Sequence, residues 1–447
     1  MSLCGRRKGA LEETEPDFWI AAVERRFRAE AGAWVLASER SVDEYGHRAL
    51  RLRLHPAAGE VRLTTTLDGE VSFSATTSAV GPGYHAQLCR WLHAVSRAFR
   101  IAWDPPDPDG GTGDDTGYFF LADRRRLESV MLAWLRTTAE GILSCQDAGG
   151  TELQLSLDDA HVYARGDEVA TPLGPRDRSW ARTVVEDPRA GIDVFPWWVD
   201  GAGAPALLGS ALASMWTDVR WTDPTTEAEC FLLRHIAGSL ERAFHEDAGL
   251  AYPWREWQEV LRLGGDPGAT NRTLAEEIAR RAGAVPAGPA VGYRRRTLGV
   301  RLPGGWRVDI PGRLAEIWSA DGTTWMARDS GRQVQVTTYA APGCSIRDLL
   351  DQRPPSGTET VEHLGLRVIG RGAVDRVLAP AAPGPDPRPS AGFWLLDGRS
   401  AVLGHLAVSL VQWEDESDRE GSFAIWRSLD RVEPASSEIP TAPGTPS

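Results

Sequence analysis

The chain is almost without lysine. Lys8 is the only one in 447 residues, and arginine supplies the rest of the 49 basic side chains. Schiff-base chemistry, a pyridoxal phosphate site and a phosphate-binding loop each need a lysine amine or ammonium held in a structured pocket. Arginine stays protonated and presents a planar fork, so it cannot replace that amine as a nucleophile. No G-x-x-x-x-G-K-[ST] stretch occurs, and ATP-driven work by this chain alone is not expected. Cysteine is scarce too: Cys4, Cys89, Cys145, Cys230 and Cys344 are odd in number, scattered and free of any C-x-x-C pair. This fits reduced thiols in a cytoplasm rather than a disulfide framework or a zinc ribbon.

Long apolar runs are also missing. Nothing approaches the roughly 18 consecutive apolar residues of a membrane span, and the opening "MSLCGRRKGALEETEPDF" turns acidic where a signal peptide needs an apolar stretch. Neither membrane insertion nor export is expected, and the expected location is cytoplasmic. The net charge is 49 − 62 = −13, which argues against a general grip on nucleic acid or anionic lipid. "YRRRTLGVR" (293–301) is the one dense basic run, read here as arginines along a strand edge. Neither H-E-x-x-H nor G-x-S-x-G is present.

What is present divides into units. In "DFWIAAVERRFRAEA", Phe18, Ala22, Phe27 and Ala31 fall near helical spacing. Then "AWVLAS", "ALRLRLH", "VRLTTTL" and "EVSFSATT" alternate as four short strands. The helix "GPGYHAQLCRWLHAVSRAF" follows, with a stripe of Tyr84, Leu88, Trp91, Leu92, Val95 and Phe99 to cover that sheet. This gives an α+β unit over 15–103. After the Pro/Gly/Asp loop 103–117, residues 118–283 read as mainly helical hairpins. The Pro/Gly/Ala stretch 282–292 is a linker, strands dominate 292–433, and the tail 434–447 reads as disordered. The expected class is α+β multidomain: an N-terminal antiparallel sheet with helices, central helical hairpins and a C-terminal α/β sandwich that folds without the rest.

The last unit opens on "W.V.IP" (Trp306, Val308, Ile310, Pro311) and closes on "F.IW.SL" (Phe423, Ile425, Trp426, Ser428, Leu429). In that order of elements it resembles PsbP-like α/β/α sandwich domains. Such domains are mostly non-catalytic and serve assembly or binding, so the resemblance implies an accessory role.

Two groupings invite a metal reading. His85, Cys89 and His93 stand at i, i+4 and i+8 of one helix, but i and i+8 lie about 12 Å apart along the axis, too far for one ion. "GGTGDD" (110–115) matches a single calcium β-roll unit, whereas such sites arise between stacked repeats. A helix flank and an acidic loop are the readings adopted. No metal and no cofactor are expected.

The remaining signal is aromatic. "TPLGPRDRSW" (171–180), "FPWWVDG" (195–201), "MWTDVRW" (215–221) and "YPWREW" (252–257) hold seven of the 18 tryptophans among several arginines. Tryptophan and arginine dominate binding hot spots, though tryptophan equally fills wide gaps between helices. Pro196 makes the approach extended, so Trp197 and Trp198 point different ways, and Asp200, Gly201 and Gly203 follow at once. The expectation is one anchored ring, against the helix beginning near Pro205, and one partly exposed beside Arg176, Asp177 and Arg178. Those five residues, Trp197, Trp198, Arg176, Asp177 and Arg178, are the candidate partner-binding set. With "GPGYHAQLC", these motifs resemble an uncharacterised bacterial family, over roughly 80–265. Its genes accompany those of MoxR-type AAA+ ATPases and von Willebrand A proteins in multi-gene conflict or defence systems. The resemblance implies a partner of an ATPase machine: an adaptor rather than an enzyme. The alternative is a hydrolase-like enzyme with an acid–base or Cys–His site in the central unit.

Overall fold

The computed structural model describes residues 1–8, 15–106, 113–264, 272–286, 288–352, 354–365, 368–377 and 392–431. The tail 434–447 lies outside them. The first unit comprises β1 (Ser2–Arg7), α1 (Pro16–Ala31), β2 (Ala37–Val42), β3 (Arg48–Arg53), β4 (Val61–Thr65), β5 (Glu70–Ser74), α2 (Pro82–Phe99) and β6 (Ile101–Trp103). Its strands form an antiparallel sheet in the order β2-β3-β4-β5-β1-β6. β1 was not foreseen, because SLCGRR has too few apolar residues to alternate. It enters between β5 and β6, where Gly5 is needed: a Cβ there would lie 2.4 Å from the Ala102 carbonyl oxygen. The second half of the expected α1 stripe, Phe27 and Ala31, is buried, whereas its first half lies one residue later, at Trp19 and Val23. Trp19, Val23, Phe27 and Ala31, each four apart, are buried, and Phe18 is 70% exposed.

Next come α3 (Tyr118–Leu121), α4 (Arg124–Asp147), β7 (Leu153–Gln154), β8 (His161–Val162), β9 (Val169–Ala170), α5 (Arg178–Glu186), α6 (Ala204–Thr217), α7 (Glu227–Glu246), α8 (Trp254–Gly264) and α9 (Arg272–Ala284). α7 starts on a full capping box: Thr226 accepts from the Glu229 amide while the Glu229 carboxylate returns to the Thr226 amide. α6 is apolar on most sides, with Ala206, Leu207, Ala211 and Met215 all buried. One apolar core runs from Leu3 in β1 to Ile278 in α9, so the first sheet and helices α6–α9 close on each other. A second, smaller core lies among α4, α5 and Phe195.

The C-terminal unit contains β10 (Thr297–Leu302), β11 (Trp306–Pro311), β12 (Ala315–Trp318), β13 (Thr324–Arg328), β14 (Arg332–Ala340), α10 (Ile346–Gln352), β15 (Glu359–Leu364), β16 (Ile369–Val377), β17 (Phe393–Val402), β18 (His405–Trp413), α11 (Arg419–Arg427) and β19 (Asp430–Arg431). Seven strands form an antiparallel sheet ordered β12-β13-β14-β18-β17-β16-β15. On one face, Leu349 and Leu350 of α10 pack on Ala401 and Leu406. The other face meets β10, β11 and Trp426 of α11, which lies over Gly370, Gly372 and Gly398. The smaller sheet, β19-β11-β10-β8, takes its edge strand from far upstream: Val162 pairs with Gly299 and His161 with Val300.

Candidate functional site

The "FPWW" turn crosses between α2 and α6. Trp197 is fully buried, its ring centroid 4.4 Å from Trp34, 5.8 Å from Tyr84 and 6.4 Å from both His55 and Trp91. Its indole N–H donates to the Gly201 carbonyl at 2.9 Å, and its amide donates to the Val80 carbonyl at 3.0 Å. Two glycines admit the turn. A Cβ on Gly83 of α2 would lie 2.0 Å from the Val199 oxygen, and one on Gly209 of α6 only 1.8 Å from the Pro196 oxygen. Trp198 points the other way, partly buried against Phe195 at 5.3 Å. The cation beside it is Arg124, which donates to the Trp198 carbonyl at 2.5 Å and pairs with Asp200 at 2.9 Å. Phe120 and Leu121 close α3 just before Arg124 in the chain, and Val199 follows the Trp198 carbonyl that Arg124 binds; their side chains are 38%, 63% and 43% exposed.

Arg176, Asp177 and Arg178 have internal partners. Arg176 donates to the Pro175 carbonyl at 3.2 Å and to the Asp193 carboxylate at 3.0 Å. Arg178 pairs with Asp147. Asp177 is the N-cap of α5: its side chain accepts from the Trp180 amide at 2.8 Å, and that bond holds the carboxyl below its usual range. Asp177→Ala is expected to cost about 1 kcal/mol in urea denaturation, with Asp177→Ser restoring most of it. An alanine variant as stable as the parent would remove the capping role.

The basic run "YRRR" is an internal junction. The Tyr293 hydroxyl donates to the Thr171 carbonyl and accepts from the Thr171 amide, both at 2.9 Å, while its ring lies 4.9 Å from Trp216. Arg294 donates to the Thr217 carbonyl at 3.1 Å and to Glu316 at 2.8 Å. Arg295 sits 3.7 Å over the Trp221 ring and pairs with Glu259 at 2.5 Å. Arg296 reaches Glu168 at 2.9 Å. The strand-edge reading of these arginines is therefore corrected: the aromatic motifs of the central unit meet them from the other side.

At the heart of this junction His161 lies between two carboxylates. Its Nδ1 is 2.8 Å from Asp158, and its Nε2 is 2.9 Å from Glu316 on β12. Burial opposes the imidazolium, but Asp158 and Glu316 outweigh it and lift His161 to about 9. Burial likewise opposes the Glu316 carboxylate, which His161 and Arg294 nevertheless bring down to about 2. Sequence reasoning missed Asp158, His161 and Glu316. The only signal was the neighbouring arginine run, since Glu316 stands alone on its strand.

The helix α2 carries a second polar cluster. His85 and Cys89 do converge, but not with His93, which faces the Phe119 carbonyl at 2.9 Å and stacks on that ring at 4.2 Å. The third member is Asp114, from the "GGTGDD" stretch that reads as an acidic loop. Here it is buried. Donor atoms of His85, Cys89 and Asp114 all lie within 4.8 Å of one another. His85 Nδ1 is 2.8 Å from the Thr77 hydroxyl, and Nε2 is 3.2 Å from both Asp114 and the Thr116 hydroxyl. Asp114 also accepts from the amides of Phe119 at 2.8 Å and Thr116 at 3.1 Å. Burial opposes its charge, yet these bonds, led by His85, hold it well below the usual carboxylate range. Burial, with Asp114 nearby, pushes the Cys89 thiol up. Hydroxyl, imidazole and carboxylate stand in the order of a hydrolytic triad, but Thr77 is only 5% exposed and His85 1%, so no substrate reaches them.

No described helix is long and apolar enough to cross a membrane. No protein-family model matches the chain, and no curated protein does. Among solved structures it is similar to a crystal structure from Bacteroides thetaiotaomicron at 6% identity and a TM-score of 0.23. That match covers 29% of this chain and spans 46% of the other. A likeness so slight carries no inference about fold or activity.

Proposed function

We propose that the chain is a non-enzymatic, cytoplasmic adaptor: an accessory subunit of a bacterial multi-protein system, binding an AAA+ ATPase and a von Willebrand A protein. The observation that supports this most directly is the exposed apolar side chains on the two segments that Arg124 ties together. Phe120, Leu121 and Val199 are exposed on the two chain segments that the Arg124–Trp198 hydrogen bond joins, and the 195–201 turn is held by Trp197 and by close backbone contacts with α2 and α6. Exposed apolar side chains on a rigid support lose little entropy on docking. The single lysine adds weight, since ATP turnover then belongs to a partner. The C-terminal sandwich, read as PsbP-like, supplies a second docking body.

The test is co-expression of the full chain with each partner encoded beside it, followed by size-exclusion chromatography and titration of the purified components. A complex is expected with wild type. Leu121→Asp and Val199→Asp, both at exposed positions, are expected to keep the fold and weaken the complex at least about 10-fold. Failure to form a complex with either partner would overturn the reading. So would hydrolytic turnover by the purified chain that survives in both variants.

A further inference from the structure

We infer that His85, Cys89 and Asp114 form a zinc-binding site inside the first unit, with the Thr116 hydroxyl or a water as fourth ligand. This goes beyond the adaptor reading and is independent of it.

Donor chemistry comes first. One imidazole, one thiolate and one carboxylate within 4.8 Å of one another form a mixed N, S, O set that suits zinc. The sulfur disfavours calcium and magnesium. Geometry agrees. His85 Nε2 stands 3.2 Å from Asp114 Oδ2 and 3.2 Å from Thr116 Oγ1. In a tetrahedron with zinc–N and zinc–O bonds near 2.0–2.1 Å, ligand atoms are about 3.3 Å apart. A single N–H shared between those two oxygens is, by contrast, longer than the roughly 2.7–2.9 Å of a charge-assisted bond. Cys89 lies one turn along α2 from His85, on the same face, and closes the set with a side-chain shift of about 1 Å.

The surroundings add a second argument. The other ring nitrogen of His85 meets Thr77 Oγ1 at 2.8 Å, the kind of outer partner that fixes a ligating imidazole with Nε2 toward the metal. Asp114 keeps the Phe119 and Thr116 amides whether or not it ligates. Its charge is buried, and the groups on it are an imidazole, a hydroxyl and amides, with no guanidinium or ammonium among those contacts. A divalent cation would balance that charge. The notion that neither His85–Cys89–His93 nor the "GGTGDD" loop holds an ion treated the two separately. The fold joins one half of each.

The experiment uses the full chain, stripped of metal and titrated with Co²⁺ as a spectroscopic stand-in for zinc. One Co²⁺ per chain is expected, with the intense visible bands of four-coordinate cobalt, a thiolate charge-transfer band, and displacement of both by Zn²⁺. Cys89→Ser should retain the wild-type circular dichroism and lose the charge-transfer band. Thr77→Val should weaken binding about 10–100-fold through loss of the outer partner. Zn²⁺ should raise the thermal midpoint of wild type and leave Asp114→Asn unmoved. Absence of stoichiometric binding, a six-coordinate spectrum, or a Cys89→Ser spectrum like the parent's would each overturn the site. It would then be a structural Asp–His pair only.

Discussion

Replacing Trp197 by alanine is expected to destabilise the protein by about 3–5 kcal/mol, the cost of emptying a large buried aromatic site. The ring is fully buried among Trp34, His55, Tyr84 and Trp91. Those partners come from three parts of the first unit, so little can collapse into the space. The side chain is also the means by which the 195–201 turn grips α2, and its indole N–H closes the turn on Gly201. Trp198→Ala, one residue on, removes a partly buried ring resting on Phe195. Its expected cost is about 1–2 kcal/mol. Urea denaturation of both variants decides the matter. Equal losses would mean that Trp198 is as much a core residue as Trp197 and that the turn presents no ring to a partner.

The second large effect concerns the junction between the central helices and the C-terminal sheets. Glu316→Ala leaves the partly buried Arg294 and His161 without the carboxylate both contact, and since removal of one member of a fully buried ion pair costs about 3–5 kcal/mol, the expected loss for this sheltered pair is about 2–4 kcal/mol. The same group of charges sets a pH dependence. In the folded protein His161 is lifted to about 9, above the ordinary 6.5 of a free imidazole, so its contribution is complete below pH 6.5 and is lost as pH rises through 9. That contribution is about 2–4 kcal/mol. Glu316 is shifted the opposite way, to about 2, so its contribution is present above about pH 4.5 and falls away only in acid. The junction is therefore strongest between about pH 4.5 and 6.5. His161→Gln should flatten the alkaline slope and shrink the acid limb to the part that Arg294 sustains. If wild type and His161→Gln decline in parallel between pH 6.5 and 9.5, His161 is not the titrating group.

Much of the fold was legible where local pattern and tertiary burial agree. The α2 stripe of Tyr84, Leu88, Trp91, Leu92 and Val95 is buried, because an amphipathic period survives any choice of neighbour. The start of α7 was legible from Thr226 and its acidic first turn. β1 was not, since its six residues are defined by the strands on either side of it. The site divided in the same way. Proline before two tryptophans foretold that the rings diverge, and they do. Which arginine stands beside Trp198 was not foretold: Arg124 is far away in sequence, while Arg176 and Arg178 are nearer and turn to Asp193 and Asp147. Asp114 was hidden because Gly-Asp loops usually face solvent, and only its pairing with His85 makes it an interior residue.

The two-residue strand β8 has a kinetic consequence. Pairing Val162 with Gly299 closes a loop of about 140 residues, and that closure costs about 3 kcal/mol more entropy than a contact four residues apart. Such a step belongs late on the folding path, after the first core has formed. Until it happens, the outer edge of β10 carries unpaired amides and carbonyls, a template for another chain. Nascent or truncated forms ending before residue 297 would hold β8 without its mate, and a fragment beginning at 292 would hold β10 without its cover. The chain is thus most exposed to misassembly in the interval between completing its helices and completing its last sheet, and a chaperone acting on it would find its target there.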